Sequence, residues 1–270
     1  MRLVINNKNY TQSSVFKPEN LLREAKRQKN LSDKADVPDI CILDPDSDIL
    51  KYLLKTKQAA IDTNWPCYHT ALYRFKLNNR ETGIIGGAVG APFAVLTAEQ
   101  LFVSGCKLLI SIASAGIIIP PINNSKYILI KSSLRDEGTG YHYLPTDMYV
   151  SINNNLFDKI SVLFNDQELS LEPGKSWTTD APFRETPESI EFAKNQGINA
   201  VEMEASALYC LAAAKHKNII CFAHLTNTMA QNQIDFEKGA ENGGIDSLIL
   251  INNTINLLSG YIPQENNYEK

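Results

Sequence analysis

Val201-Glu202-Met203-Glu204-Ala205-Ser206 joins an apolar run, Ile198, Ala200 and Val201, to a long alanine-rich stretch. The run reads as the end of a buried strand, and residues 204–217 as the helix that follows. A strand that passes directly into a helix is the repeating step of an α/β fold. Two carboxylates beside a buried run are unusual, because an ionised group is costly to bury without partners. A carboxylate placed there can accept both hydroxyls of a vicinal diol, and the helix N-terminus favours its charged form. A first-turn or capping glutamate accounts for the same residues equally well.

The same alternation extends outward. Pro18 stands where a first helical residue can, and Leu21, Leu22 and Ala25 follow at helical spacing, which predicts a helix over 18–30. Residues 39–43 read as a short buried strand ending at the Asp44-Pro45 turn. Further strands are expected over 82–89, 107–112, 127–131 and 218–223, and helices over 92–104, 186–196 and 246–258. No repeat or linker interrupts them. One domain over 1–270 is the expectation, α/β in class with a largely buried sheet, and with loose polar ends at about 1–14 and 264–270.

The 270 residues, 44% hydrophobic and 21% charged, suffice for a sizeable core without a disulfide or metal staple. With 26 basic and 30 acidic residues the net charge is −4, which argues against a basic stripe for nucleic acid. Five cysteines, Cys41, Cys67, Cys106, Cys210 and Cys221, form no CxxC pair, which fits a reduced compartment. Met1-Arg2 is followed by too few apolar residues for a signal peptide. The most apolar stretch, 101–122, is broken by Gly105, Lys107, Gly116 and Pro120-Pro121 and is a poor membrane span. The expected location is cytoplasmic, with no membrane or nucleic-acid partner. His69, His142, His216 and His224 show no metal-ligand spacing, so no metal is expected.

Other segments set small or polar residues beside apolar strands, where chemistry gathers in such folds. Gly86-Gly-Ala-Val-Gly-Ala-Pro92 lets a backbone approach a ligand at a helix N-terminus, or simply makes a tight turn. No Gly-Lys-Ser/Thr follows, so it is not a Walker loop. Ser111-Ile-Ala-Ser-Ala-Gly116 presents the Ser111 and Ser114 hydroxyls, or is a small-residue strand in a crowded sheet. Trp177-Thr-Thr-Asp-Ala-Pro-Phe-Arg-Glu-Thr-Pro187 reads as a loop in which Phe183 can stack on a planar base and Arg184 can bond its carbonyls. The alternative pairs Arg184 with a nearby acid and starts the next helix at Thr186 or Pro187. Residues 135–145 crowd charges, glycines, tyrosines and His142 into one loop, and residues 224–228 form another polar strand end.

Taken in order, these segments resemble the nucleoside phosphorylase family, on its uridine-phosphorylase-like side. Val-Glu-Met-Glu-Ala at 201–205 resembles the family's strand-to-helix signature, and Asp44-Pro45 its Gly-Asp-Pro turn. Residues 87–92, 111–116 and 134–143 resemble its Gly-rich segment, its second phosphate strand and its Asp-Gly…His loop. The resemblance implies a three-layer α/β/α sandwich whose central mixed sheet bends toward a barrel. It also implies a homo-oligomer with sites near subunit contacts. The implied reaction cleaves the N-glycosidic bond of a small-molecule nucleoside and transfers the ribosyl group to inorganic phosphate, with no other cofactor. By position, Glu202, Met203 and Glu204 are the ribose-binding residues, Met203 and Glu204 holding the sugar with Glu202 beside them. Thr179, Phe183, Arg184 and Asn227 face the base, and Gly87, Gly90, Ser111 and Ser114 line the phosphate or nucleophile side. Glu204, Arg184 and Asn227 are then the catalytic candidates.

Three departures bear on the chemistry. Ser47 and Ser111 stand where the family has phosphate-binding arginines. Hydroxyls and backbone N–H groups bind phosphate less strongly than a charged guanidinium. His69, Arg74 and Lys131 are the candidate substitutes, and Lys17 falls near where the family brings a histidine toward the sugar's 5′ end. Asn227 replaces the aspartate that acts as acid toward a departing purine, which tilts the expectation to a pyrimidine such as uridine. Phosphorolysis is the expected reaction. Hydrolysis by water is the alternative favoured by the missing arginines, and nucleoside binding without catalysis is the third.

Overall fold

The computed structural model describes residues 8–32, 36–228 and 236–260. Along the chain run α1 (Pro18–Lys29), β1 (Ile40–Asp44), α2 (Asp48–Lys55), β2 (Ala59–Ile61), β3 (Tyr73–Leu77), β4 (Arg80–Gly86) and α3 (Ala91–Val103). Then follow β5 (Leu108–Ile117), β6 (Tyr127–Asp136), β7 (Tyr149–Ser151), α4 (Asn154–Ile160), β8 (Leu171–Thr179) and α5 (Pro187–Asn195). β9 (Ala200–Glu202), α6 (Ala205–Lys215), β10 (Asn218–Asn227) and α7 (Gly244–Leu258) complete the order.

Among the described residues these strands form one mixed sheet. β5 is its hub. On one edge it pairs along most of its length with parallel β10, which also pairs antiparallel with β6. On the other edge β1 runs parallel to residues 108–111, and antiparallel β9 takes over only at Gly116 and Ile117. From β9 the ladder continues through β8 to β6, so β5, β10, β6, β8 and β9 close a ring. β1, β4, β3 and β2 extend from it as an open wing. Helices α1, α3 and α6 pack on one another, and α2 and α4 pack on α7. The expected sandwich and the bend toward a barrel are both present.

Local sequence explains the elements that frame the site. All five residues of β1 are buried, as a continuous apolar run in a parallel sheet must be. α1 opens at Pro18 with Glu19 in its first turn, and closes on basic residues and a left-handed Asn30. Several strands outrun their expected lengths. β5 continues through Ile117, so residues 111–116 are strand and not a strand end, held by β10 on one side. Trp177 and Thr179 lie in β8 rather than in a loop, and β10 reaches Asn227. β8 itself escapes prediction because Pro173-Gly174 reads as a turn, although Pro173 sits opposite Leu129 in the ladder. Residues 1–7 and 264–270 of the expected loose ends lie outside the described residues, while the Tyr10 hydroxyl donates to the Tyr141 carbonyl at 3.2 Å. No helix among the described residues is long and apolar enough to cross a membrane.

Candidate active site

The handover from β1 to β9 leaves residues 112–115 of β5 without a strand on that edge. Such a break in an α/β sheet is where ligands find exposed backbone groups. Three segments meet there: the turn after β1, the glycine segment before α3, and the junction of β9 with α6.

At the junction the two glutamates have separate surroundings. Glu202 is 5% exposed. Its Oε1 accepts the hydroxyls of Ser176 (2.9 Å) and Thr178, and its Oε2 accepts the backbone N–H groups of Glu204 and Ala205, both at 2.7 Å. Burial pushes its pKa up and these four donors pull against that rise. The expected ribose contact therefore does not fit Glu202, whose oxygens are already occupied in tying β8 to the start of α6. Glu204 is the N-cap of α6, and its Oε1 accepts the Gly90 N–H at 2.6 Å. Burial, and then the charge of Glu202, push its pKa up to about 8. Gly90 reaches it from a backbone at φ +88°, a conformation that favours glycine. Met203 is half-buried between the two glutamates.

The turn after β1 builds the other side. The Asp44 carbonyl accepts the N–H groups of Ser47 (2.9 Å) and Gly87 (3.1 Å), and its side chain accepts that of Leu50 at 2.9 Å. Burial first, and the charges of Asp46 and Asp48 with it, push its pKa up to about 7, against the Leu50 bond. A Cβ on Gly86 would stand 2.7 Å from Ser47 Oγ, so the close approach of the two segments requires glycine. Asp46 reaches across to β5, where its Oδ2 accepts the Ser114 N–H at 2.7 Å. Its Oδ1 lies 3.2 Å from Lys238 Nζ, which also lies 2.6 Å from Asp48 Oδ2. His224, opposite Ser114 on β10, is stacked on Tyr127 at 4.6 Å. A cavity of about 10 Å³ lies between Asp46, Asp48, Ser114 and His224.

The remaining expectations divide. Gly87, Gly90, Ser114 and Glu204 come together. Ser111 does not join them: it lies inside β5, 3% exposed, between Leu43 and Cys221. Asn227 ends β10 opposite Gly116, which pairs on its other edge with Val201, so β5 alone separates Asn227 from the glutamate junction. Thr179 is buried, and its hydroxyl accepts the Ala181 N–H at 3.2 Å as part of a turn. Phe183 is 99% exposed and Arg184 is exposed, both on the short 3-10 turn Pro182–Arg184. Neither side chain is packed into the glutamate corner in this single chain.

The substitute cations are committed elsewhere. Arg74 pairs with Asp62 (2.6 Å) and Glu81 (3.2 Å) on the sheet's wing. Lys131 lies over the Phe157 ring, His69 is exposed in the loop before β3, and Lys17 is the exposed N-cap of α1. His142 is exposed in the turn after β6, its pKa pushed down by partial burial and by Lys8. Sequence reasoning passes over Asp46, Asp48 and Lys238. The alternation Asp44-x-Asp46-x-Asp48 at a strand end is a usable signal for the first two. Nothing local marks Lys238, which stands 190 residues from Asp48.

Residues 39–255 match the phosphorylase superfamily. A DeoD-type purine nucleoside phosphorylase of Streptococcus pyogenes serotype M4 is 26% identical over 146 residues, covering 53% of this chain. The match spans only 62% of that relative's length. A uridine phosphorylase of Vibrio fischeri superposes with a TM-score of 0.69 at 18% identity, over 84% of this chain and 95% of that one. A 5′-methylthioadenosine/S-adenosyl homocysteine nucleosidase of Campylobacter jejuni superposes with a TM-score of 0.64 at 16% identity, over 80% and 98%. At those identities the two structures speak for the fold alone, which is the one seen here. With a match that runs from the residue before β1 well into α7, this chain belongs to the phosphorylase superfamily.

Proposed function

We propose that the chain cleaves the N-glycosidic bond of a nucleoside with water, rather than phosphate, as the acceptor, and that a pyrimidine nucleoside such as uridine is the substrate. The observation that carries the choice of water is the 2.7 Å hydrogen bond from the Ser114 N–H to Asp46. Bound phosphate needs free donors and cations. Here a carboxylate already takes the donor, and Lys238 already bridges Asp46 and Asp48. Two unit charges about 4 Å apart interact by about 4 kcal/mol at an effective dielectric near 20. A phosphate dianion beside Asp46 is thus repelled by several kcal/mol, whereas neutral water is not. The cavity of about 10 Å³ beside Asp46 is on the scale of a single water.

The steps follow from charge development. The ribose 2′ and 3′ hydroxyls donate to Glu204, which the Gly90 N–H holds in place. As the bond from C1′ to the base nitrogen stretches, the sugar gains oxocarbenium character and the base takes the electron pair. In its charged form, which predominates above its pKa of about 8, Glu204 favours the cation. Water adds to C1′ and gives its proton to Asp46, and the departing base takes up a proton from solvent. Asn227 can bond a base carbonyl but cannot protonate a ring nitrogen, which suits a base such as uracil that leaves as a stabilised anion. Phosphorolysis, the acceptor implied by the resemblance and by the names of two relatives above, is the competing reading.

Base release from uridine, thymidine, inosine and adenosine, followed by chromatography with and without phosphate, tests the proposal. Release of uracil at a rate that ignores phosphate, with free ribose as co-product, is expected. Release that requires phosphate contradicts the choice of acceptor, and binding without release contradicts catalysis altogether.

A further inference from the structure

Lys238 is the least expected part of this corner. It follows β10 at a distance, and its segment is pinned by the Glu237 N–H donating to the Thr226 carbonyl at 3.1 Å. Gly243 lets the chain close behind it. At φ +77°, a Cβ there would stand 2.3 Å from the His224 ring and 2.8 Å from the Lys238 carbonyl. The ammonium lies 2.6 Å from Asp48 and 3.2 Å from Asp46, and its side chain is 19% exposed. Burial works against its charge, but the Asp48 hydrogen bond and both carboxylates hold its pKa above the ordinary value.

The surroundings are strongly acidic. Asp44 comes from β1, Asp46 from the following turn, Asp48 from the start of α2, Glu204 and Glu202 from the α6 junction, and Asp246 from α7. The opposing charges are Lys238, Lys126, which pairs with Asp246, and Lys51, a 67% exposed side chain 3.7 Å from Asp48. Of these cations, Lys238 is the one on the Asp46 carboxylate, while Lys51 Nζ donates to the Asp46 backbone carbonyl at 3.3 Å.

We propose that Lys238 is the positioning residue of the nucleophile side: it holds the Asp46 carboxylate against the Ser114 N–H, in the orientation that receives a proton from the attacking water. The role of Asp46 rests on the hydrolytic reading above; the electrostatic role of Lys238 does not. Among the described residues each Asp46 carboxylate oxygen is fixed by one donor, Lys238 or Ser114, and each then keeps a lone pair for water. The same ammonium faces His224, whose pKa is pushed down to about 4 by burial first and by Lys238 next, while Asp46 and Asp246 oppose. The imidazole therefore reports on the lysine without any substrate.

The test compares Lys238→Met, Lys238→Arg and Asp48→Asn with wild type in two readouts. In Lys238→Met kcat falls by about tenfold or more, because the Asp46 carboxylate is no longer held toward the attacking water. KM stays within about twofold, since the lysine does not hold the nucleoside. The His224 ring titration, followed by NMR, moves up as well. Lys238→Arg keeps both near wild type, and Asp48→Asn, which leaves the ammonium on Asp46, keeps kcat within about threefold. A folded Lys238→Met that keeps the wild-type kcat, or whose loss lies in KM rather than in kcat, overturns the proposal. If wild type releases base only with phosphate, the hydrolytic reading falls, and an unmoved His224 in folded Lys238→Met overturns the lysine's role independently.

Discussion

Glu202 and Glu204 are two residues apart, yet the fold gives them different work. Glu202 is saturated by four donors, two of them backbone N–H groups at the start of α6. A glutamine there must turn its own NH2 toward some of those donors, which leaves buried groups unpaired at about 1–3 kcal/mol. Glu202→Gln is therefore expected to lower the melting temperature by several degrees, measured by calorimetry. Glu204 has the opposite profile. It is buried, and its backbone contacts to Gly90 and Met203 do not repay the desolvation that raises its pKa to about 8. Glu204→Gln is expected to lose about 100-fold or more in kcat/KM while melting no lower than wild type at pH 8. The motif as a string makes both glutamates ribose ligands, because spacing shows that two carboxylates sit at a junction and not which one the protein has already occupied.

The element that matters most is the uncovered edge of β5, where β1 has ended and β9 has not begun. Gly90 brings the start of α3 to this gap at φ +88°, and a Cβ added there would meet nothing within 4 Å. Space is thus available but the backbone angle is not. Gly90→Ala is expected to cost about 1–2 kcal/mol and to turn the N–H away from Glu204, which lowers kcat/KM about tenfold. Denaturant melts and steady-state kinetics on the same preparation check both halves. The strands and helices around the gap are largely legible, since apolar runs such as 39–43 and 218–223 need only a buried sheet to be strands. The gap itself is not. It depends on where β5 exchanges one neighbour for another, and Ser111 to Gly116, small enough for a strand or a loop, carry no periodicity that reveals it.

Across the whole molecule the acidic corner couples the site to stability. Asp44 and Glu204 bind protons more tightly in the folded chain than their ordinary values of 3.8 and 4.5, with pKa values of about 7 and about 8. Between those limits the folded state holds more protons than the unfolded state, so their contribution is full at low pH and is lost as pH rises through 7 and 8. For these two groups the melting temperature is expected to fall from pH 6 to pH 8.5, and Glu204→Gln to flatten that fall. An unchanged slope in the variant contradicts the burial argument. The resemblance also implies a homo-oligomer, and an exposed Phe183 is available for such a contact. Whether Asp46 turns a phosphate corner into a water corner is decided by 31P NMR of inorganic phosphate while uridine is consumed. An unchanged phosphate resonance is expected as uracil and free ribose accumulate. A ribose 1-phosphate resonance that grows in step with uracil would show that phosphate, not water, is the acceptor.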